Sequence, residues 1–492
     1  MSTTAATGFC RVTVVAPDSR IDVALPEDIA VADVYPEILR LTGQTQAAGA
    51  PTGYHLVRRD GTVLEGARSL AAQQVLDGEV LSLRPFAESL PPAVFDDVSD
   101  AVASAVVRDR HLWSDDLLRG AGLVGGVVLL VLMGFVLWFA DPVRHDMHGL
   151  PGIIAGAAGV LLTAFAGVRA RVYGDRATAV ALGLGALPLL LIAGSGIIGP
   201  DAGHGPGRLQ FLLGCVAVLI ASVALVALTP SGDAPFVAAT FLAATGTVAT
   251  FVAITADSSA TGTAAVVVPV GIGLVAFLPG LSARFARLPI GYAAPRSAAD
   301  DFDSDAYADP DATPEAEPVD AERIAAQARR GHEMLLGLVG GCAAVVVGCA
   351  AVLGFSSNVW GQCLALAAGL AMLLRARLFR YTSQVACTLV AGIAAIGLLV
   401  LGVSLNPPVD LVKDLLMYGD RAGLDIRTIW LTAAVAAGAA LVTAIGLVIP
   451  KKGLSPFWGR LLDIAEGAVL LSLVPLCLAV LDVYGAARSL TS

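Results

Sequence analysis

The ionisable side chains that interrupt apolar stretches are the first candidates for chemistry. Asp463 and Glu466 stand three residues apart within the run Leu461 to Leu481, a spacing that puts both on one helix face. Acids inside a membrane-crossing helix commonly line ion or proton paths. Glu466 also follows Arg460 by six positions, about 9 Å along a helix. Pairing with Arg460, Lys451 or Lys452 therefore accounts for both acids without any transport, and at this level both readings stand. His332-Glu333 continues as Met334-Leu335-Leu336 and lacks the second histidine of a zinc site, so it reads as an interfacial pair. There is no GxxxxGK[ST] phosphate loop and no GxSxG nucleophile motif. The cysteines, Cys10, Cys215, Cys342, Cys349, Cys363, Cys387 and Cys477, show no metal-ligand spacing and read as small packing residues. No catalytic residue, metal or cofactor is expected.

The elements that would position Asp463 and Glu466 are membrane spans. Of the 492 residues, 56% are apolar and 15% charged, and the mean hydropathy is +0.76. Soluble domains run nearer 45–50% apolar and about 25% charged. A span needs about 20 apolar residues to cross about 30 Å of hydrocarbon. About eleven stretches qualify: 121–140, 150–168, 177–199, 209–228, 234–255, 263–283, 334–354, 359–374, 382–404, 428–449 and 461–481. Gly122/Gly126, Gly152/Gly156 and Gly337/Gly341 have GxxxG spacing, which lets helix backbones approach closely.

Charge asymmetry orients the spans. Arg169, Arg171, Arg176, Arg284, Arg287, Arg375, Arg377, Arg380, Lys451, Lys452 and Arg460 fall in alternate connections, whereas the opposite connections hold only Arg144, Arg208, Lys413, Arg421 and Arg427. The positive-inside rule then puts the N-terminus in the cytosol and the C-terminus outside. Met1 to Gly8 lack the basic start and apolar run of a signal peptide, in keeping with a cytosolic start. The formal net charge of −10 comes largely from the acidic segment Asp300 to Glu322, so it identifies no basic partner. Composition predicts disorder from Pro295 to Asp320 and a helical lead from Ala321 to His332. Pro407 and Pro408 precede Leu411, Val412, Leu415 and Leu416, spaced as an amphipathic helix lying on the outer interface.

Before the first span the pattern is soluble. Val12 and Val14 share one strand face and Ile21, Val23 and Leu25 another. Asp33 is placed to cap a helix that Gly43 ends. An extended Tyr54 to Val57, a turn at Asp60-Gly61 and a last strand from Val80 to Arg84 complete the set. Hairpin, helix and returning strands resemble a ubiquitin-like β-grasp (α+β), but no Gly-Gly tail follows, because the chain runs on through Pro85. Alternation turns Leu56, Leu81 and Leu83 inward and assigns His55, Val57, Ser82 and Arg84 to an open face suited to docking a partner. The division expected is therefore a cytosolic domain over 1–90, a linker over 91–120 with Pro91, Pro92, Asp96 and Asp97, spans one to six over 121–283, an acidic cytosolic loop over 284–333 and spans seven to eleven over 334–492.

A ubiquitin-like domain followed by eleven spans with a cytosolic loop after the sixth resembles the EccD family of type VII (ESX) secretion systems. The stretches carrying the likeness are Cys10 to Gly43, with Arg11-Val-Thr-Val-Val, Leu25-Pro26 and Leu39-Arg40-Leu41, then Asp77-Gly78-Glu79-Val80-Leu81 and Leu83-Arg84-Pro85. The resemblance implies an actinobacterial cytoplasmic-membrane subunit that pairs with itself around a lipid-facing vestibule. It further implies assembly with EccB-, EccC- and EccE-like chains, of which the EccC-like chain is the ATPase. Membrane lipids are expected partners and nucleic acid is not. The alternative class is an ion-coupled transporter of a small solute, using Asp463 and Glu466; a membrane enzyme has no residue constellation behind it.

Overall fold

The structure is a computed structural model and describes residues 8–16, 19–43, 54–85, 114–201, 204–229, 232–287, 321–452 and 456–491. It divides into two compact units, 1–113 and 114–492. The expected linker around Pro91 to Asp97 and the acidic segment around 300 lie outside the described residues.

In the first unit, β1 (Phe9–Val15) and β2 (Arg20–Pro26) form an antiparallel hairpin, followed by α1 (Val31–Leu41), β3 (Tyr54–Arg58) and β4 (Val80–Pro85). The sheet order is β2-β1-β4-β3, with β1 and β4 parallel and β3 and β4 antiparallel. Val12, Val14, Leu25, Leu56, Leu81 and Leu83 meet Val31, Val34 and Ile38 of α1 in one core, which is the β-grasp arrangement. Asp33 does not cap α1. Ala30 holds that position, and the helix's open N–H groups are met by backbone: Val31 N–H donates to Arg68 O (3.1 Å) and Ala32 N–H to Gly66 O (2.9 Å). Asp33 sits in the first turn, where its charge faces the positive end of the helix dipole.

The second unit is helical. Its long elements are α2 (Asp115–Trp138), α3 (Leu150–Arg171), α4 (Arg176–Ser195), α5 (Arg208–Leu228), α6 (Ala234–Thr255), α7 (Ala260–Val275) with α8 (Leu278–Phe285), α9 (Ala321–Gly354), α10 (Val359–Arg375), α11 (Thr382–Leu405), α13 (Ala422–Lys452) and α14 (Pro456–Val480). Among the described residues ten helices are long and apolar enough to cross a membrane, and the pair α7–α8 makes an eleventh if counted as one span. That pair is bent by 66°. Pro279 lacks the N–H that would continue the helix, so the predicted unbroken sixth span is two pieces. The helical lead expected before span seven is continuous with it, giving the 34-residue α9. The amphipathic segment after Pro407-Pro408 is α12 (Val409–Tyr418), with Asp410, Lys413 and Asp414 exposed and Leu411, Val412 and Leu415 half-buried. A short α15 (Val483–Thr491) follows α14.

Helices α3 to α6 enclose one core, around Ala166, Leu187, Leu225 and Phe236. Helices α7, α9, α10, α11 and α14 enclose another, around Ile272, Val346, Leu364 and Met372. The two meet where α9 crosses α6, and there the glycine spacing matters. A Cβ on Gly337 would lie 2.6 Å from Ala234 O, and one on Gly341 2.7 Å from Ala238 O, so only glycine permits this approach. A Cβ on Gly152 would collide with Met147 O, whereas one on Gly156 would meet Ala193 at an ordinary 3.4 Å and Gly122 and Gly126 face open space.

Candidate functional site

Because consecutive spans run antiparallel, the starts of α2, α4, α6, α11 and α14 and the ends of α3, α5, α8 and α10 gather at one end of the bundle. Most of the charged contacts between helices are there. They form three groups.

The first joins α2, α3 and α4. Asp175 caps α4 by accepting from Thr178 N–H (3.2 Å), and its two oxygens take Arg119 of α2 (2.5 Å) and Arg169 of α3 (3.0 Å). The hydrogen bonds from Thr178, together with the two guanidinium charges, hold the Asp175 carboxyl below the usual carboxylate range.

The second group joins the two cores. Glu333 on α9 pairs with Arg176 of α4 and accepts from Gly232 N–H (3.1 Å), while Arg330, one turn earlier, donates to Asp233 at the start of α6 (2.6 Å). Asp233 is fully buried, and its Oδ2 meets no hydrogen-bond donor among the described residues. Next to it, His332 packs on the Tyr381 ring at 4.4 Å and faces the Gln384 amide at 3.4 Å. His332-Glu333 is thus more than an interfacial pair: Glu333 ties α4 and the α5–α6 turn to α9.

The third group holds the two acids that opened the sequence reading. Asp463 and Glu466 do share a face of α14, but among the described side chains their partners are Arg375 and Arg377 and not Arg460; the side chains of Lys451 and Lys452 lie outside the described residues. Arg377 lies 3.1 Å from both Asp463 Oδ1 and Glu466 Oε2, and Arg375 Nε lies 3.9 Å from Glu466 Oε1. A helix turns its side chains through about 100° per residue, so Glu466, six positions on, points about 120° away from Arg460, whereas the end of α10 abuts the face that carries both acids. Arg375 is 8% exposed, and its Nε and Nη1 have no acceptor within hydrogen-bond range among the described residues. Arg375 and Arg377, read from sequence as topology anchors, therefore also clamp span eleven to span eight. The signal available beforehand was their position at the same bundle end as the two acids.

In the first unit, the predicted docking residues separate. Arg84 is exposed and Ser82 partly so, but His55 and Val57 are 4% and 5% exposed and belong to no open face. Part of the reason is that β3 is not a bare edge. After the turn at Asp60-Gly61 the chain returns beside it, bridging Val57 to Val63 and bonding Leu64 N–H to Leu56 O at 2.8 Å. The accessible surface lies toward β1 and β2: Arg20, opposite Val15, is exposed at the end of the sheet that holds Ser82 and Arg84, and Arg11 and Asp22 are exposed farther along it. Alternation alone had no information about what covers the second face.

The match to the profile of the EccD-like transmembrane domain spans residues 118–490, nearly the whole helical unit. The chain belongs to the EccD family. A second family, the WXG100 protein secretion system protein YukD, matches residues 9–83 of this EccD chain, the β-grasp unit. Over 495 aligned residues the chain is 28% identical to the ESX-4 secretion system protein eccD4 of Mycobacterium tuberculosis, in both the CDC 1551 / Oshkosh and H37Rv strains, covering 98% of each chain. Protomer 1 of the ESX-3 core complex has the same fold, with a TM-score of 0.57 at 19% identity over 97% of this chain and 100% of that one. This EccD is a multi-pass membrane protein.

Proposed function

We propose that the chain is a scaffold and channel-forming subunit of a type VII secretion complex in a bacterial cytoplasmic membrane. The observation that carries this is the end-to-end relation to a secretion protein, β-grasp unit and membrane unit in the same order. In this reading its N-terminus is cytosolic and its C-terminus extracytoplasmic, two copies pair, and EccB-, EccC- and EccE-like chains surround them. We assign it no catalytic step; the energy for export comes from the EccC-like ATPase. Asp463 and Glu466 serve to hold α14 on α10, since each carboxylate has an arginine partner.

The β-grasp unit docks that ATPase through the accessible part of its sheet, Ser82 and Arg84 with Arg20 alongside. His55 and Val57 sit across the β3–β4 ladder from Arg84 and Ser82 and flank this surface as buried neighbours. Purification of the native complex from membranes and identification of its chains tests the assembly. Arg84→Glu with Arg20→Glu tests the docking, because a charge at the buried Val57 would unfold the domain instead. Loss of the ATPase from the purified complex, with the spans still inserted, is expected. Undiminished ATPase recovery after removal of residues 1–90 would refute the docking role.

A further inference from the structure

The cleft at the start of α2, the end of α3 and the turn into α4 has a composition that neither the fold nor the secretion role requires. It encloses about 570 Å³ and is lined by Arg119, Arg169, Tyr173, Asp175 and Arg176. Three arginines face one aspartate, so the lining carries a net charge of +2. Arg176 is also paired with Glu333 outside the cleft. Asp175 fixes Arg119 and Arg169 through one guanidinium nitrogen each, Nη2 in both, which leaves the remaining N–H groups of two planar forks for another acceptor. Arg169 also lies over the Tyr173 ring at 5.3 Å from its centroid, and the side chains of Arg119 and Arg169 are 57% and 40% exposed.

Depth identifies the acceptor. Helix α2 has 24 residues, about 36 Å against about 30 Å of hydrocarbon, and Arg119 is the fifth of them, about 6 Å from its start. Arg169 is in the last turn of α3. Both therefore stand at the level of lipid headgroups. Leu117, Leu118 and Val172, which adjoin the lining residues Arg119 and Tyr173 in the chain, are exposed, as is Tyr173, an aromatic of the kind found at membrane interfaces. An acidic peptide on the arginines would leave those apolar side chains bare, whereas a phospholipid covers both with one molecule.

We infer that this cleft is a binding site for the phosphate headgroup of an anionic phospholipid, held by Arg119 and Arg169 with its acyl chains along Leu117, Leu118 and Val172. The inference does not depend on the secretion role or on which side of the membrane the cleft faces.

The test uses the full chain in detergent and native mass spectrometry with added phosphatidylglycerol or phosphatidylcholine. Wild type should retain phosphatidylglycerol selectively. Arg119→Ala with Arg169→Ala should weaken retention about thirtyfold, about fivefold for each cation removed at a membrane surface. Because those changes unpair Asp175, Arg119→Lys with Arg169→Lys is run beside them; it keeps the ion pairs, loses the forked geometry and should weaken retention by a smaller factor. Equal retention of the two lipids, or unchanged retention in both variants, would overturn the site. Displacement of the lipid by millimolar inorganic phosphate would reassign it to soluble phosphate. Displacement by a peptide of residues 300–322 would reassign it to the chain's own acidic segment, and either result overturns the lipid proposal.

Discussion

Removing Arg330 should cost more than removing Arg330 and the Asp233 charge together. The side chain of Asp233 is 0% exposed and that of Arg330 33%, so Arg330→Ala strands a carboxylate in the interior while the converse change leaves a cation that still reaches water. Breaking a fully buried pair from one side costs about 3–5 kcal/mol. Solvent at Arg330 screens part of that, so about 2–3 kcal/mol is expected here, on the order of a hundredfold in the unfolding equilibrium. Asp233→Asn alone should cost about 1 kcal/mol, the net value of a lost hydrogen bond. The double variant, Arg330→Ala with Asp233→Asn, should be more stable than Arg330→Ala by at least about 1 kcal/mol. Equilibrium unfolding in mixed micelles gives the three differences, and hydrogen exchange over residues 326–337 places them on α9. A double variant no more stable than Arg330→Ala, or an Arg330→Ala protein indistinguishable from wild type, would refute the argument that this contact joins the two cores.

Three further outcomes are expected. Reporter fusions should be cytosolic after Arg377 and external after Ser492; an internal signal at Ser492 would remove one span from the count. Asp463→Asn with Glu466→Gln should leave export intact in an assembled complex while loosening α14, seen as faster proteolysis in the 453–455 connection; lost export from a normally assembled double variant would return the ion-coupled transporter to contention. The Asp175 carboxyl titrates below its ordinary range, so its contribution to stability is fully present above the unfolded value and disappears only as pH falls through the lower folded value. The Arg119–Asp175–Arg169 contact should hence survive mild acid and part only under strongly acidic conditions, a change that Tyr173 fluorescence would register; parting near neutral pH would contradict the hydrogen bonding seen.

Most spans were legible because an apolar run of fixed length is a demand of the bilayer that each segment meets by itself. Ala234 to Thr255 begins and ends where the run does. Where the sequence misled, the deciding partner came from elsewhere in the chain. Asp33 lost the capping position to the backbone of residues 66–68, Val57 was buried despite correct alternation, and the acids of α14 found arginines some 90 residues away in place of those nearby. The bend between α7 and α8 was local and readable in principle, since Pro269 and Pro279 both lie within the run. The functional class was legible only through the order of the two units, since the sequence holds none of the phosphate-loop or nucleophile motifs sought in it.

Helix α9 is unbroken over 34 residues, about 51 Å, and so extends about 20 Å beyond what the hydrocarbon layer requires. A continuous hydrogen-bonded helix resists bending over such a length, and α9 is gripped at Gly337 and Gly341, where α6 leaves no room for a methyl group. It acts as a lever with its fulcrum at that crossing. A force on the arm ahead of Arg330, the end to which residues 288–320 are attached, is delivered first to Asp233 and Glu333 and then, with opposite sense, to the far end at Gly354 where it meets Leu399 of α11. Such a displacement at one membrane face would reach the other along a helix that has no break in its 34 residues.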